Sequence, residues 1–281
     1  MIRSIINSLV ISLIFAVLIP HGVYAFKATV TPKEVIPGDV FLLKIETDGT
    51  MPAEAEFLGD KINLYQVEGN HLRAIVPVDI NTTPGKYNIS IAAGKDRHKA
   101  EIVVRRHKFR TIKLTLPEEK VTLSPEDQER AAREAELLNK IWPEITGPAW
   151  NGRFTSPTNT AVSTAFGVKR IMNEKTTSVH RGADFRGKNG APVKAINSGT
   201  VVLTEDLFFG GNTLIVDHGM GLYSVYMHLS KLNVSKGEKV SKSQVIGAVG
   251  SSGRASGPHL HMGIRLQGVS INPESLFKLE L

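Results

Sequence analysis

The 281-residue sequence contains no cysteine. A disulfide framework, a thiolate metal site and a lipid-modified cysteine are therefore all excluded. Aromatic residues make up only 6% of the chain and there are two tryptophans. The interleaved aromatic and basic pattern of a nucleic-acid reader is missing, so no nucleic-acid partner is expected. Beyond residue 25 no apolar run approaches the ~20 residues of a membrane-spanning helix. No H-E-x-x-H motif occurs, so a metallopeptidase glutamate base of that kind is excluded. No repeat of fixed period is present.

What is present starts with an unusual N-terminus. Arg3 precedes the uncharged, mostly apolar stretch from Ile5 to Ile19, and Val23-Tyr24-Ala25 offers small residues where a signal peptidase reads. Residues 1–25 are predicted to be a signal peptide cleaved after Ala25, giving an exported protein, periplasmic or secreted, with no stable membrane span afterwards. The alternative is an uncleaved anchor. The net charge of +7 fits attraction to anionic envelope polymers. At 41% apolar and 22% charged, the chain is long enough and apolar enough for two ordinary domains.

From Phe26 to Pro117 short strand patterns alternate with turn signals. "VIPGDVFLLKIETDG" and "TTPGKYNISIAAGK" each run from Pro-Gly into near-alternating apolar residues, and "KAEIVVRRHKFRTIKLTLP" continues the habit. Residues 26–117 are expected to form an immunoglobulin-like β-sandwich, with His71, His98 and His107 on its surface. Residues 118–148 read as a linker containing a helix over 124–142. Ser124 is its N-cap, Pro125 sits in the first turn, and Glu126 and Asp127 complement the dipole. Ala131, Ala135, Leu138 and Ile141 form an apolar stripe that must pack on something. The helix is accordingly expected to pack near the C-terminal half, with the front region either a passive spacer or, with the helix, in contact with a groove of that half. Residues 149–281 are rich in Val, Ile and Gly, which predicts an antiparallel β domain and a mainly β protein.

Five of the nine histidines fall between residues 180 and 261. His180 and Asp184 in "SVHRGADF" are four apart and can share a face. His259 and His261 in "GPHLHMGI" follow a Gly-rich turn and lead into a strand, where an i, i+2 pair shares a face. Two neutral imidazoles and a carboxylate suit Zn²⁺, and a fourth position left to water is the mark of a catalytic zinc. The spacing leaves open which of His259 and His261 binds metal. His228 in "VYMHLS" can face the open position. His218 in "DHGMG" reads as a turn residue, and Asn212 and Arg254 are minor candidates for substrate contact.

The set His180-x-x-x-Asp184, Tyr226-x-His228-Leu229-Ser230 and Gly257-Pro258-His259-Leu260-His261 resembles the LytM/lysostaphin-type zinc endopeptidases, which cut peptide bridges of bacterial cell wall. "STAFGVKR", "GTVV" and "VIGAVGSSGRASGPHLH" extend the likeness over residues 150 to 277. Ala183 and Met262 depart from the family's usual branched or aromatic apolar residues. The resemblance implies the duplicated hybrid motif fold, His180, Asp184 and His261 as zinc ligands, and His228 and His259 as the catalytic pair. It also implies a zinc-dependent endopeptidase acting on peptidoglycan. Degenerate relatives that bind wall or activate an amidase are the alternative, although they lose metal ligands that are all present here.

Overall fold

The structure, a computed structural model, describes residues 26–47, 53–115, 122–174 and 176–281. The predicted signal peptide, residues 1–25, lies outside them. The protein is mainly β.

In the front part, two sheets enclose one core. The strands Lys27–Thr31, Val40–Glu46, His71–Pro77 and Tyr65–Gln66 form one sheet. Glu34–Val35, Asp96–Val104, Gly85–Ala93, Ala53–Phe57 and Asp60–Lys61 form the other. The core between them holds Phe41, Leu43 and Ile45 from the first sheet and Ala55, Ile89, Ile91 and Ile102 from the second. These side chains recur at every second position because strand side chains alternate between faces. His71, His98 and His107 are exposed.

The strand Val40–Glu46 departs from the half-buried pattern. Its Val40 and Leu42 join a different core, together with Ile75, packed with Phe154, Ala183, Phe185 and Leu260 of the C-terminal part. Both faces of this strand are thus covered, which the unbroken apolar run Val40-Phe41-Leu42-Leu43 already encodes. Asn272 ties the same region down: its backbone N–H donates to the Gly38 carbonyl at 2.7 Å and its side-chain amide to Asp39 at 3.0 Å.

One segment expected to belong to the front sandwich sits elsewhere. Thr111–Leu114 pairs in parallel with Lys169–Met172, which pairs antiparallel with Thr176–Val179. After Val104 the chain carries the exposed cations Arg105, Arg106 and Lys108, which a sandwich interior would not accept. Phe109 then packs onto Gly167, so closely that any Cβ there would collide with its ring.

Helix α1 spans Pro125–Asn139, three residues shorter at its end than expected, and Ser124 caps it by accepting from the Asp127 N–H at 3.1 Å. Its last turn and the residues beyond it, Leu138, Ile141 and Trp142, pack against Leu203, Leu207, Ile215, Tyr223 and Val225. Arg130 and Glu134 hold the tip of the hairpin below them: Arg130 donates to the Asp206 carbonyl at 3.0 Å and Glu134 accepts from the Phe208 N–H at 2.7 Å. Among the described residues no helix is long and apolar enough to cross a membrane.

The C-terminal part is built on one large antiparallel sheet. Its order runs Val162–Thr164, Ala183–Arg186, His259–Leu266, Leu222–Leu232, Gly211–Asp217, Gly199–Leu207 and Lys239–Val240. The strand Val245–Val249 joins Leu222–Leu232 and carries Pro192–Lys194 beyond it. Three neighbouring strands, 183–186, 259–266 and 222–232, bring the sequence motifs together.

Candidate metal centre

Strand register places the first two elements of the site. Asp184 lies directly opposite His261 and Arg186 opposite His259 in the antiparallel pair of Ala183–Arg186 with His259–Leu266. Residues at i and i+2 share a face, so His259 and His261 point the same way as Asp184. His180 arrives from the preceding turn, where its backbone N–H donates to the Val168 carbonyl at 2.9 Å. Gly182 makes this possible. A Cβ at that position would stand 2.5 Å from the Met262 carbonyl oxygen and 2.8 Å from the His261 ring, so only glycine lets the His-x-x-x-Asp turn lie flat on the neighbouring strand.

His180 Nε2, His261 Nδ1 and Asp184 Oδ1 converge. Asp184 Oδ1 is 2.9 Å from His180 Nε2 and 2.8 Å from His261 Nδ1, and the two nitrogens are 3.1 Å apart. Ligands of a tetrahedral ion bound at ~2.0–2.1 Å stand about 3.3 Å from one another, so the cluster is close to a metal-binding geometry. The tautomers agree with it. His180 Nδ1–H donates to the Ala165 carbonyl at 2.9 Å, leaving a bare lone pair on Nε2 that faces a carboxylate oxygen. Facing lone pairs of this kind are bridged either by a proton, as imidazolium-to-carboxylate hydrogen bonds, or by a metal cation. All three residues offer donor atoms within 4.8 Å of one another, and two nitrogens with one oxygen suit a borderline-soft divalent metal ion.

The electrostatics point the same way. Burial opposes ionisation of Asp184, but the hydrogen bonds and charges of His180 and His261 outweigh it and hold the carboxyl well below the usual carboxylate range. Burial lowers the proton affinity of His261, against the pull of Asp184, and so favours the neutral, ligand-competent form of its imidazole.

His228 and His259 complete a cluster of four imidazoles. Their ring centroids are 4.8 Å apart, and His228 lies 6.2 Å from His261. His259 Nε2 is 3.9 Å from Asp184 Oδ1, farther than the three converging donors. Each ring donates through Nδ1 to a backbone carbonyl, His228 to Ser252 at 2.9 Å and His259 to Gly257 at 2.8 Å. Both Nε2 atoms are thereby left as bare acceptors. His228 reaches this place through a break in its strand. Simple alternation would put it on the face of Tyr226, whose hydroxyl is deep in the core accepting from the Ile196 N–H. Instead His228 has φ +64° and the register slips between Asn212 and Leu214 on the partner strand. Burial, followed by the neighbouring His259 and His261, pushes the His228 imidazole down to about 4, against the pull of the Ser252 carbonyl.

The other candidates do different work. The Asn212 amide donates to the Leu229 carbonyl at 2.9 Å, closing the slip beside His228. Arg254 stacks over the Phe208 ring at 5.3 Å, on the hairpin gripped by helix α1. His218 does occupy the turn between two strands, but it is fully buried. Its Nδ1–H donates to the Ser198 carbonyl at 2.7 Å and Nε2 accepts from the Ser224 hydroxyl at 2.8 Å. Arg170, the last residue of the STAFGVKR segment but not among the candidate site residues, reaches Asp184 Oδ2 at 3.5 Å.

Residues 178–273 match the family model described as Peptidase family M23. The peptidoglycan DD-endopeptidase ShyA of Vibrio cholerae is 38% identical over 112 residues, which is 40% of this chain and 26% of that protein. The DD-carboxypeptidase/endopeptidase Mpg of Neisseria meningitidis is 35% identical over 117 residues, 42% of this chain and 27% of that protein. The chain thus spans only about a quarter of the length of these curated relatives. A solved chain from Pseudomonas aeruginosa whose description assigns it to peptidase M23 is 29% identical, with a TM-score of 0.65, over 86% of this chain and 94% of that one. This likeness extends across both halves of the fold.

Proposed function

We propose that this chain, whose residues 178–273 match the model of peptidase family M23, is a zinc-dependent endopeptidase of that family that hydrolyses peptide cross-links of bacterial peptidoglycan. The observation that carries the reading is the convergence of three metal-type donor atoms on paired strands, with two further imidazoles facing them. His180, Asp184 and His261 would hold the ion, and His228 and His259 are the catalytic pair. Bound zinc supplies a Lewis acid for the scissile carbonyl and lowers the pKa of a water molecule.

The chain's own residues handle the protons. With Nδ1 of both His228 and His259 committed to carbonyls, Nε2 is the atom through which each ring exchanges a proton. A neutral imidazole takes the proton of the attacking water at Nε2 as the new C–O bond forms. The ring that took this proton hydrogen-bonds the tetrahedral oxyanion through Nε2–H and then gives the same proton to the departing amine as the C–N bond breaks. His228, pushed down to about 4, enters this sequence neutral at pH 7.

The substrate class comes from the names of ShyA and Mpg, which place DD-endopeptidase activity in those proteins. The corresponding bond is the cross-link between a D-alanine and a diamino acid. An exported chain with net charge +7 fits work on an anionic wall. The division into a signal peptide over 1–25, an immunoglobulin-like domain over 26–117 from which the strand Thr111–Leu114 departs, a linker over 118–148 and a peptidase domain over 149–281 belongs to the same proposal. Helix α1 borders the groove in this reading, because the hairpin it grips also supplies the Gly210 carbonyl that accepts from the His228 N–H. The test is digestion of purified sacculi by the zinc-loaded protein, followed by mass spectrometry of the muropeptides. Cross-linked dimers should fall and their monomers rise, and chelation should stop the change. Unaltered dimers with zinc bound would refute the assignment.

A further inference from the structure

We propose that Arg170 is a positioning residue of the metal centre: it holds the outer carboxylate oxygen of Asp184 so that Oδ1 alone is presented to the ion. The inference rests on the metallopeptidase reading above and goes beyond its ligands and catalytic pair.

The two oxygens of Asp184 have separate surroundings. Oδ1 is the atom 2.9 Å from His180 Nε2 and 2.8 Å from His261 Nδ1. Oδ2 is turned away from them and lies 3.5 Å from Arg170 Nη2. A carboxylate with one oxygen on a guanidinium and the other among imidazoles has its plane fixed. An Asp without that partner can rotate, offering either oxygen or both, and the ordering must then be supplied by the ion. The Asp184 side chain is 9% exposed and that of Arg170 37%, so solvent screens the pair only partly.

The backbone gives Arg170 a reason to be there. It sits opposite Ser178 in the antiparallel pair of Lys169–Met172 with Thr176–Val179. The i, i+2 rule then places residues 170, 178 and 180 on one face, so one hairpin delivers both the ligand His180 and the arginine that steadies the ligand Asp184. The outer edge of this hairpin is closed by Thr111–Leu114, with Ile112 opposite Arg170. Two strands alone are marginal in water and a third makes the platform firm. The front part of the chain therefore contributes the strand that backs this contact, although it supplies no ligand.

Two electrostatic effects oppose each other at this position. The guanidinium charge repels a divalent cation, while its hydrogen bond orients an anionic ligand. The arginine is on the far oxygen, with the carboxylate between it and the ion site, so orientation is expected to win. Loss of such an outer contact usually costs 10–100-fold in metal affinity or activity.

The experiment is a zinc competition titration of the full mature chain against a chromophoric chelator at fixed pH, with Arg170→Ala and Arg170→Lys beside the unsubstituted protein. Arg170→Ala should weaken zinc binding by about 10–100-fold. Arg170→Lys, which retains a cationic donor, should recover most of the loss, and both variants should melt in the zinc-free form like the parent. At saturating zinc, kcat should fall in Arg170→Ala with KM unchanged. Equal or tighter zinc binding by Arg170→Ala would overturn the positioning role and leave the peptidase reading intact. So would a raised KM with unchanged zinc affinity, because it would place Arg170 on the substrate. A loss of affinity in both variants accompanied by a lowered zinc-free melting point would make Arg170 merely structural and also overturn the proposal. Failure of the unsubstituted protein to bind zinc would bring down both readings together.

Discussion

The front sandwich and the C-terminal sheet are built from similar strands, yet they treat polar atoms in opposite ways. Among the described residues the buried polar and charged side chains are His180, Asp184, Asn197, Thr213, Asp217, His218, Ser224, His228 and Ser275, and all belong to the C-terminal part. The core of the front sandwich is aliphatic and aromatic throughout. An apolar core is stabilised by burial and close packing and specifies little beyond shape. A buried polar group must be matched atom by atom, because each unpaired one costs about 1–3 kcal/mol. The C-terminal part accepts that demand and gains directed lone pairs. The core of the front sandwich has none to direct, and its contribution to chemistry is limited to geometry.

The sharpest way to break this contrast is to remove a polar group whose partners need it. Asp184→Ala should abolish zinc binding and hydrolysis together, a larger loss than the roughly 10–100-fold of an outer-shell change. Metal analysis of the purified variant checks it, and full zinc occupancy would show that the carboxylate is not a ligand. His228→Ala and His259→Ala should retain zinc and lose about 10²–10⁴-fold in kcat, the scale of an acid–base group. Parallel metal analysis and muropeptide assays separate these from ligand loss. If His259→Ala released the ion while His261→Ala kept it, the roles of the two would be exchanged.

In the front part the expected effect is on stability alone. Phe41 is fully buried and meets the Phe57 ring edge-on at 5.2 Å. Phe41→Ala should cost about 3–5 kcal/mol in denaturant unfolding, while the still-folded variant binds one zinc as before. The smallest effect is that of acid on a buried neutral histidine. Burial pushes His218 down to about 4, below its ordinary value of 6.5. The unfolded chain therefore binds a proton that the folded one refuses. This stability is fully present above about pH 6.5 and is lost as pH falls towards 4, by about 3 kcal/mol at ~1.4 kcal/mol per pH unit. Unfolding of the zinc-free protein at pH 7 and pH 4.5 checks it. His218→Gln should be less stable at pH 7 and show a flatter dependence over that interval.

Much of the site was legible because it depends on short-range periodicity. His259 and His261 two apart, and His180 four before Asp184, needed only a strand and a turn to converge. The capped helix start at Ser124 was legible for the same local reason. The choice between His259 and His261 was not, since it rests on which residue opposes Asp184 across strands, and cross-strand register is not written in either strand alone. Arg170 was hidden similarly: its partner is fourteen residues away through a hairpin, and no spacing rule connects them. Thr111–Leu114 has the composition of the strands before it, so its membership in another sheet could not be read from pattern. The bulge at His228 breaks alternation at the very residue that alternation would have turned away.

The strand Val40–Glu46, with odd-numbered residues in one core and even-numbered Val40 and Leu42 in another, has a consequence for sequence change over generations. Shifting a half-buried strand by one position exchanges an inner face for a wet one; shifting this one would exchange two interiors, sending Phe41 and Leu43 into space shaped for Val40 and Leu42. Single-codon insertions and deletions should therefore be purged from this stretch while they are accepted in the exposed turn between Ala93 and Asp96, which only joins two strands of a hairpin. The same strand also forbids the two halves from being exchanged freely as modules, because any new front part would have to bring a Val40 and a Leu42 of its own.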